Sequence, residues 1–117
     1  MAITLSVLVF RAEPFDCIEF RHTSIYLDYG DGTQSTLHIV GASRDYHFEE
    51  VEKDHAESGK LERHILVTTF HEGFTSAMIK DACSNTRVNN DGSEWNCHHW
   101  VGDVLAELMK LEILIKD

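Results

Sequence analysis

The sequence predicts an α+β fold, an antiparallel β-sheet with helices packed at the C-terminal end. Three observations predict it. Runs rich in β-branched and aliphatic residues occupy 3–11, 19–28, 34–41 and 61–70. The segment Tyr29-Gly30-Asp31-Gly32-Thr33 joins two of them, and Asp-Gly supplies the positive φ values of a tight hairpin turn. The chain then closes on Val101, Val104, Leu105, Leu108, Leu111 and Ile115, spaced by threes and fours as on one face of a helix.

Each element follows from its residues. Ile3 to Phe10 is apolar but short, has no basic segment before it, and runs into Arg11, Glu13 and Pro14. It reads as a strand and not as a signal peptide. Residues 12–16 break it. The second strand covers 19–28 and the third 34–41, so one hairpin carries His22 on one arm and His38 on the other. Alternation puts His22, Ser24 and Tyr26 on one face of the second strand and Thr23, Ile25 and Leu27 on the other. Residues 44–48 form a short strand. The acidic run Glu49-Glu50-Val51-Glu52-Lys53-Asp54 then reads as a solvated face or loop, and Ser58-Gly59 as a turn. A further strand covers 61–70. Thr75 is placed to cap a short helix over 76–84. Residues 85–92 form a loop by composition. The last helix begins near Asn96 or Cys97, with Asp103, Glu107, Lys110 and Glu112 on its polar face.

The 117 residues, 43% hydrophobic and 26% charged, fit one globular domain spanning 1–117 and exclude a disordered chain. A net charge of −10 argues against a broad surface for nucleic acid or anionic lipid. Three scattered cysteines, Cys17, Cys83 and Cys97, make no disulfide framework and fit a reducing compartment, so a cytoplasmic location is expected. No window approaches the roughly 20 apolar residues of a membrane span.

Chemistry concentrates at Asn96-Cys97-His98-His99-Trp100. A cysteine at a helix N-terminus meets unpaired N–H groups and the positive end of the helix dipole, both of which favour a thiolate. The strand-borne His22 is a suitable proton partner, because a thiolate and an imidazole in contact keep the nucleophile charged near neutral pH. His38, across the hairpin, can hold the His22 ring and its tautomer as a carboxylate or amide would. The Cys97 N–H is a natural oxyanion donor. Each residue also has a plainer reading: a packed thiol, a half-buried strand histidine and a cross-strand surface pair. A metal site is the rival, but adjacent Cys97, His98 and His99 point in different directions and lack spaced ligand pairs. His99 is expected to pack under the helix or bond nearby backbone. His47, His55, His64 and His71 have no consistent spacing and read as strand or loop residues. No cofactor is expected.

At these residues the chain resembles the circularly permuted papain-like cysteine enzymes, in which the histidine strand precedes the cysteine helix. His22-Thr23-Ser24-Ile25 followed by Asn96-Cys97-His98-His99-Trp100-Val101-Gly102-Asp103-Val104-Leu105 is similar to the PPPDE peptidases. His22, His38 and Asn96-Cys97-His98-His99-Trp100-Val101 are similar, in order, to the lecithin:retinol acyltransferase and NlpC-type branch. The resemblance implies a permuted papain-like fold with Cys97 as nucleophile, His22 as general base and His38 as the polar third residue. It implies a thiol hydrolase acting on an amide, isopeptide, ester or thioester, with an acyl- or peptide-type substrate. An acyltransferase on the same residues, or a binding module that kept the fold, are the alternatives. Specificity would come from 49–57 and 85–95.

Overall fold

The computed structural model describes residues 3–11, 22–41, 44–52, 60–70, 75–91 and 95–111. Among these residues, five strands precede two helices: β1 (Ile3–Phe10), β2 (His22–Asp28), β3 (Gln34–Val40), β4 (His47–Val51), β5 (Leu61–Phe70), α1 (Ser76–Asn85) and α2 (Cys97–Lys110). The strands form one sheet in the order β4-β3-β2-β1-β5, antiparallel at every pairing. This is the expected α+β architecture, with both helices C-terminal to the strands.

The β2–β3 hairpin forms as expected, but its loop is wider than a two-residue Asp-Gly turn. Asp28 and Gln34 are its last cross-strand pair. The positive φ values fall on Gly30 (76°) and Gly32 (92°), so each glycine reverses the chain where a side chain would be strained. Asp28 Oδ1 accepts the Gly30 N–H at 2.9 Å and Asp31 Oδ1 accepts the Thr33 N–H at 3.0 Å. These Asx-type bonds close the loop beneath the Tyr29 N–H to Thr33 carbonyl bond of 3.1 Å.

The short strand expected over 44–48 lies instead at 47–51. Gly41 (φ 116°) and Arg44 (φ 71°) turn the chain first, and a Cβ on Gly41 would collide with the Asp45 carbonyl. Asn90 then clamps Tyr46, accepting its N–H at 2.8 Å and donating to its carbonyl at 3.1 Å. Only after that clamp does pairing begin, with His47 opposite Val40, Phe48 opposite Ile39 and Glu49 opposite His38. The first three residues of the acidic run, Glu49, Glu50 and Val51, are therefore strand and not loop.

The two faces of the sheet differ. Leu5, Ile25, Leu27, Leu37 and Ile39 pack with Ile79, Ala82 and Cys83 of α1 and Trp100, Val101, Val104 and Leu108 of α2. The opposite face carries a smaller cluster of Leu8, Phe10 and Tyr26, with Leu61 against it. This matches the alternation read from β2.

Thr75 caps α1, its hydroxyl accepting the Met78 N–H at 3.2 Å. The helix closes at Thr86, whose hydroxyl donates to the Ala82 carbonyl at 2.8 Å. In α2 the apolar stripe holds through Leu108, with Leu105 half-buried, but Leu111 is 51% exposed and serves as the C-cap. The expected apolar position at Leu111 is thus corrected: the helix ends at Lys110, and Leu111 caps it in the open. Ile115, the start of the second strand at 19–21, Cys17, His55 and His71 lie outside the described residues. Among the described residues, no helix is long and apolar enough to cross a membrane.

Candidate active site

Asn96 starts α2 and sets the position of Cys97. Its side chain accepts the His98 N–H at 3.0 Å, while His99 Nδ1 accepts the Asn96 N–H at 3.1 Å. Together they make a capping box, with an imidazole in place of the usual Glu or Gln. His99 thus bonds nearby backbone, one of its two expected roles, and its exposed ring lies 6.5 Å from Trp95 in a stacked arrangement. Trp100, fully buried one turn in, fixes the helix against the sheet and meets Phe48 with ring centroids 5.9 Å apart. The first turn of α2 is therefore held from two sides.

Cys97 approaches β2 from the helix-covered side and is half-buried. Backbone N–H groups of Thr23, Cys97 and His98 favour its charged form, that of His98 while also bonded to the Asn96 side chain. The Thr23 contact places the thiol one residue from His22. Burial pushes the Cys97 thiol above the usual range and outweighs the three N–H groups, which pull it down. The helix mouth was expected to hold a thiolate. In the resting protein it holds a thiol, because losing water from around the sulfur costs more than the N–H groups return.

His22 and His38 meet directly, His22 Nε2 lying 2.8 Å from His38 Nδ1. Their ring centroids are 5.0 Å apart in an edge-on arrangement. Phe10 stacks on His22 at 6.0 Å. His38 is 8% exposed, and its Nε2 lies 3.0 Å from Oε1 of the half-exposed Glu49. His22, His38 and Glu49 thus form one line of polar contacts across β2, β3 and β4. The sheet pleat sets this line on the face opposite the helices, while the Cys97 sulfur reaches Thr23 from the helix side. His22 is the first residue of β2, so both approaches converge on the start of that strand.

Sequence reasoning missed Glu49, which it assigned to a solvated acidic segment. The signal was available in the alternation of His47-Phe48-Glu49-Glu50-Val51. Phe48 is half-buried against the core, which turns Glu49 to the face of His38.

The remaining candidates lie elsewhere. Cys83 is fully buried in α1, and burial pushes its thiol up to about 12. His64 sits on β5, where its Nε2 is 3.0 Å from the Ser6 hydroxyl and its ring meets Tyr26 at 5.7 Å. His47 is exposed at the start of β4. Two open depressions of about 360 and 370 Å³ surround the β2–β3 loop and share Tyr29 and Thr33. They stand at the far end of β2 from His22. One is bordered by Lys80, which pairs with Glu50 at 2.7 Å and lies over the Tyr29 ring at 5.3 Å. Among the described residues, no three His, Cys, Asp or Glu side chains converge as metal ligands would.

Comparison with known proteins brings no match: no family model, no curated protein and no solved structure matches this chain.

Proposed function

We propose that the chain is a small thiol hydrolase of permuted papain-like arrangement that acts on an acyl- or peptide-type substrate. The observation that carries this reading is the 2.8 Å contact between the His22 and His38 rings on one face of the sheet, at the start of the strand whose next residue, Thr23, offers its N–H to the helix-mouth cysteine on the other face. The Cys97 sulfur attacks the carbonyl carbon of an amide, isopeptide, ester or thioester. Its proton passes to His22, whose Nδ1 is the ring nitrogen not engaged by His38. The Cys97 N–H at the open helix end stabilises the oxyanion. His22 returns the proton to the leaving group, giving a thioester on Cys97. Water, deprotonated by His22, then releases the acid and restores the thiol.

The raised thiol gives the base a definite task. A preformed thiolate needs no base at the moment of attack, whereas a buried thiol does. The reading requires the Nδ1 edge of His22 to come round the start of β2 to the sulfur. An acyl-directed thiol probe tests it on the full chain. Wild type is expected to label at Cys97, Cys97→Ala to lose the label, and His22→Ala to slow it by about a hundredfold. Label persisting in Cys97→Ala, or moving to Cys17 or Cys83, overturns the reading. The acyltransferase on the same residues is separated by product: an added amine that is acylated indicates transfer, and free acid alone indicates hydrolysis.

The burial of Cys97 also favours a second reading, a binding module that kept the fold without the activity. In that case His22→Ala leaves the reaction of Cys97 with a simple alkylating agent unchanged.

A further inference from the structure

We infer that Glu49 is a positioning residue of the candidate site, fixing the direction of the His22–His38 hydrogen bond and so which nitrogen of His22 can act as a base. This rests on the Cys97–His22 reading above and deepens it. The donor and acceptor capacities of the three side chains fix the direction. An ionised carboxylate accepts and cannot donate. Glu49 Oε1 lies 3.0 Å from His38 Nε2, so that nitrogen carries the proton. A neutral imidazole has one N–H and one lone pair. His38 Nδ1 is then the lone pair, and at 2.8 Å it must accept from His22 Nε2–H. With its proton on Nε2, neutral His22 presents its lone pair at Nδ1.

The reverse direction would put a proton on His38 Nδ1 and turn the Nε2 lone pair toward the Glu49 carboxylate. Two lone pairs would then face each other, an arrangement the carboxylate forbids. The reversed pair would also leave His22 with a proton, and no lone pair, on Nδ1. Glu49 therefore works at one remove: through His38, it selects the form of His22 that can take a proton. It also places a negative charge at the end of the line when His22 becomes cationic. The site is buildable because β4 pairs Glu49 directly opposite His38. The neighbouring Glu50 is turned to the other face, where Lys80 holds it.

Long-range proton–nitrogen NMR of the uniformly labelled full chain, at about pH 8 where free imidazoles are neutral, reads both tautomers directly. Wild type is expected to show Nε2–H on both His22 and His38. Glu49→Gln, which can accept or donate, is expected to show a second population with Nδ1–H on both rings. Glu49→Lys, a donor only, is expected to make that reversed population dominant. The rate of Cys97 labelling is expected to fall in the same order, by about tenfold or more in Glu49→Lys. Nδ1–H on His38 in the wild type, or identical tautomers in all three proteins, overturns the inference. The two readings fail separately. If no protein labels, the hydrolase reading falls and the tautomer series alone decides the role of Glu49. If all three label at one rate with unchanged tautomers, Cys97 remains the nucleophile and Glu49 is a surface carboxylate.

Discussion

The two faces of the sheet are built for different ends. On the helix-covered face, Leu5, Ile25, Leu27, Leu37, Ile39 and Trp100 are essentially inaccessible and form one continuous apolar contact. On the opposite face, Leu8, Phe10 and Tyr26 make a smaller cluster among the described residues, and the positions around them are polar: Ser6, Ser24, Thr36, His38 and His64. Among the described residues, the first face carries the larger apolar contact. The second aligns hydrogen-bonding groups across neighbouring strands, as in the His22–His38–Glu49 line. The contrast teaches that one seven-residue strand, β2, can serve both purposes because its side chains alternate. Ile25 and Leu27 anchor the helices while His22, two residues from Ser24 on the same side, meets the second face.

A truncation on each face should separate the two roles. Trp100→Ala removes the largest fully buried side chain among the described residues and leaves a cavity between α2 and the sheet. It is expected to cost about 3–5 kcal/mol. His38→Ala removes a ring that is also buried but has polar partners, and should cost only about 1–2 kcal/mol. Its labelling at Cys97 should nevertheless fall by about tenfold or more, since His22 loses its 2.8 Å partner. Chemical denaturation of the two variants, with labelling measured on the folded fraction, checks both. Equal stability losses would dissolve the distinction between the faces.

The two described cysteines sharpen it further, because both touch the apolar core but only one sits at a helix mouth. For Cys83, burial pushes the thiol up to about 12, with no opposing N–H contribution. The folded state therefore holds that proton more tightly than the unfolded chain. The stabilisation is complete below the unfolded value of about 8.5 and is lost as pH rises through that value toward the folded one, at roughly 1.4 kcal/mol per pH unit. Replacing Cys83 with Ala removes this dependence, so the stability gap between wild type and variant should narrow steadily under alkaline conditions. Cys97 is shifted in the same direction but opposed by three N–H groups. It is expected to alkylate in the native protein while Cys83 waits for unfolding. Matched rates for the two thiols, followed by mass spectrometry, would contradict that difference.

Where local chemistry dictated structure, the sequence was readable. Gly30 and Gly32 announced the β2–β3 loop, Thr75 and Asn96 announced the two helix starts, and the apolar stripe from Val101 to Leu108 announced the face of α2. Pairing between distant segments was not readable. β5 joins the edge of β1, with Ile3 opposite Phe70, and nothing local encodes a partner so far along the chain. The same limit hid Glu49. An acidic run is soluble by composition, and only the register of β4 against β3 turns one of its carboxylates onto a histidine. The order of Cys97, His22 and His38 could be read, but the buried state of the thiol could not. That depends on how closely α2 lies on β2, a property of packing and not of spacing.

The smallest test concerns a polar residue that does not join the line. Thr36 is fully buried on β3, and its hydroxyl has no hydrogen-bond partner among the described residues. Its neighbour by alternation, His38, is engaged on both ring nitrogens. A buried hydroxyl without a partner loses its hydration and gains nothing in return, whereas valine has almost the same shape and loses no hydration. Valine also retains the β-branch that suits a central strand. Thr36→Val is therefore expected to leave stability unchanged or raise it by up to about 1 kcal/mol, with labelling at Cys97 intact. A loss beyond about 1 kcal/mol would mean that this hydroxyl is bonded in solution. A loss of labelling without a loss of stability would extend the polar line beyond His38 and make the second face more continuous than the contacts of β3 now suggest.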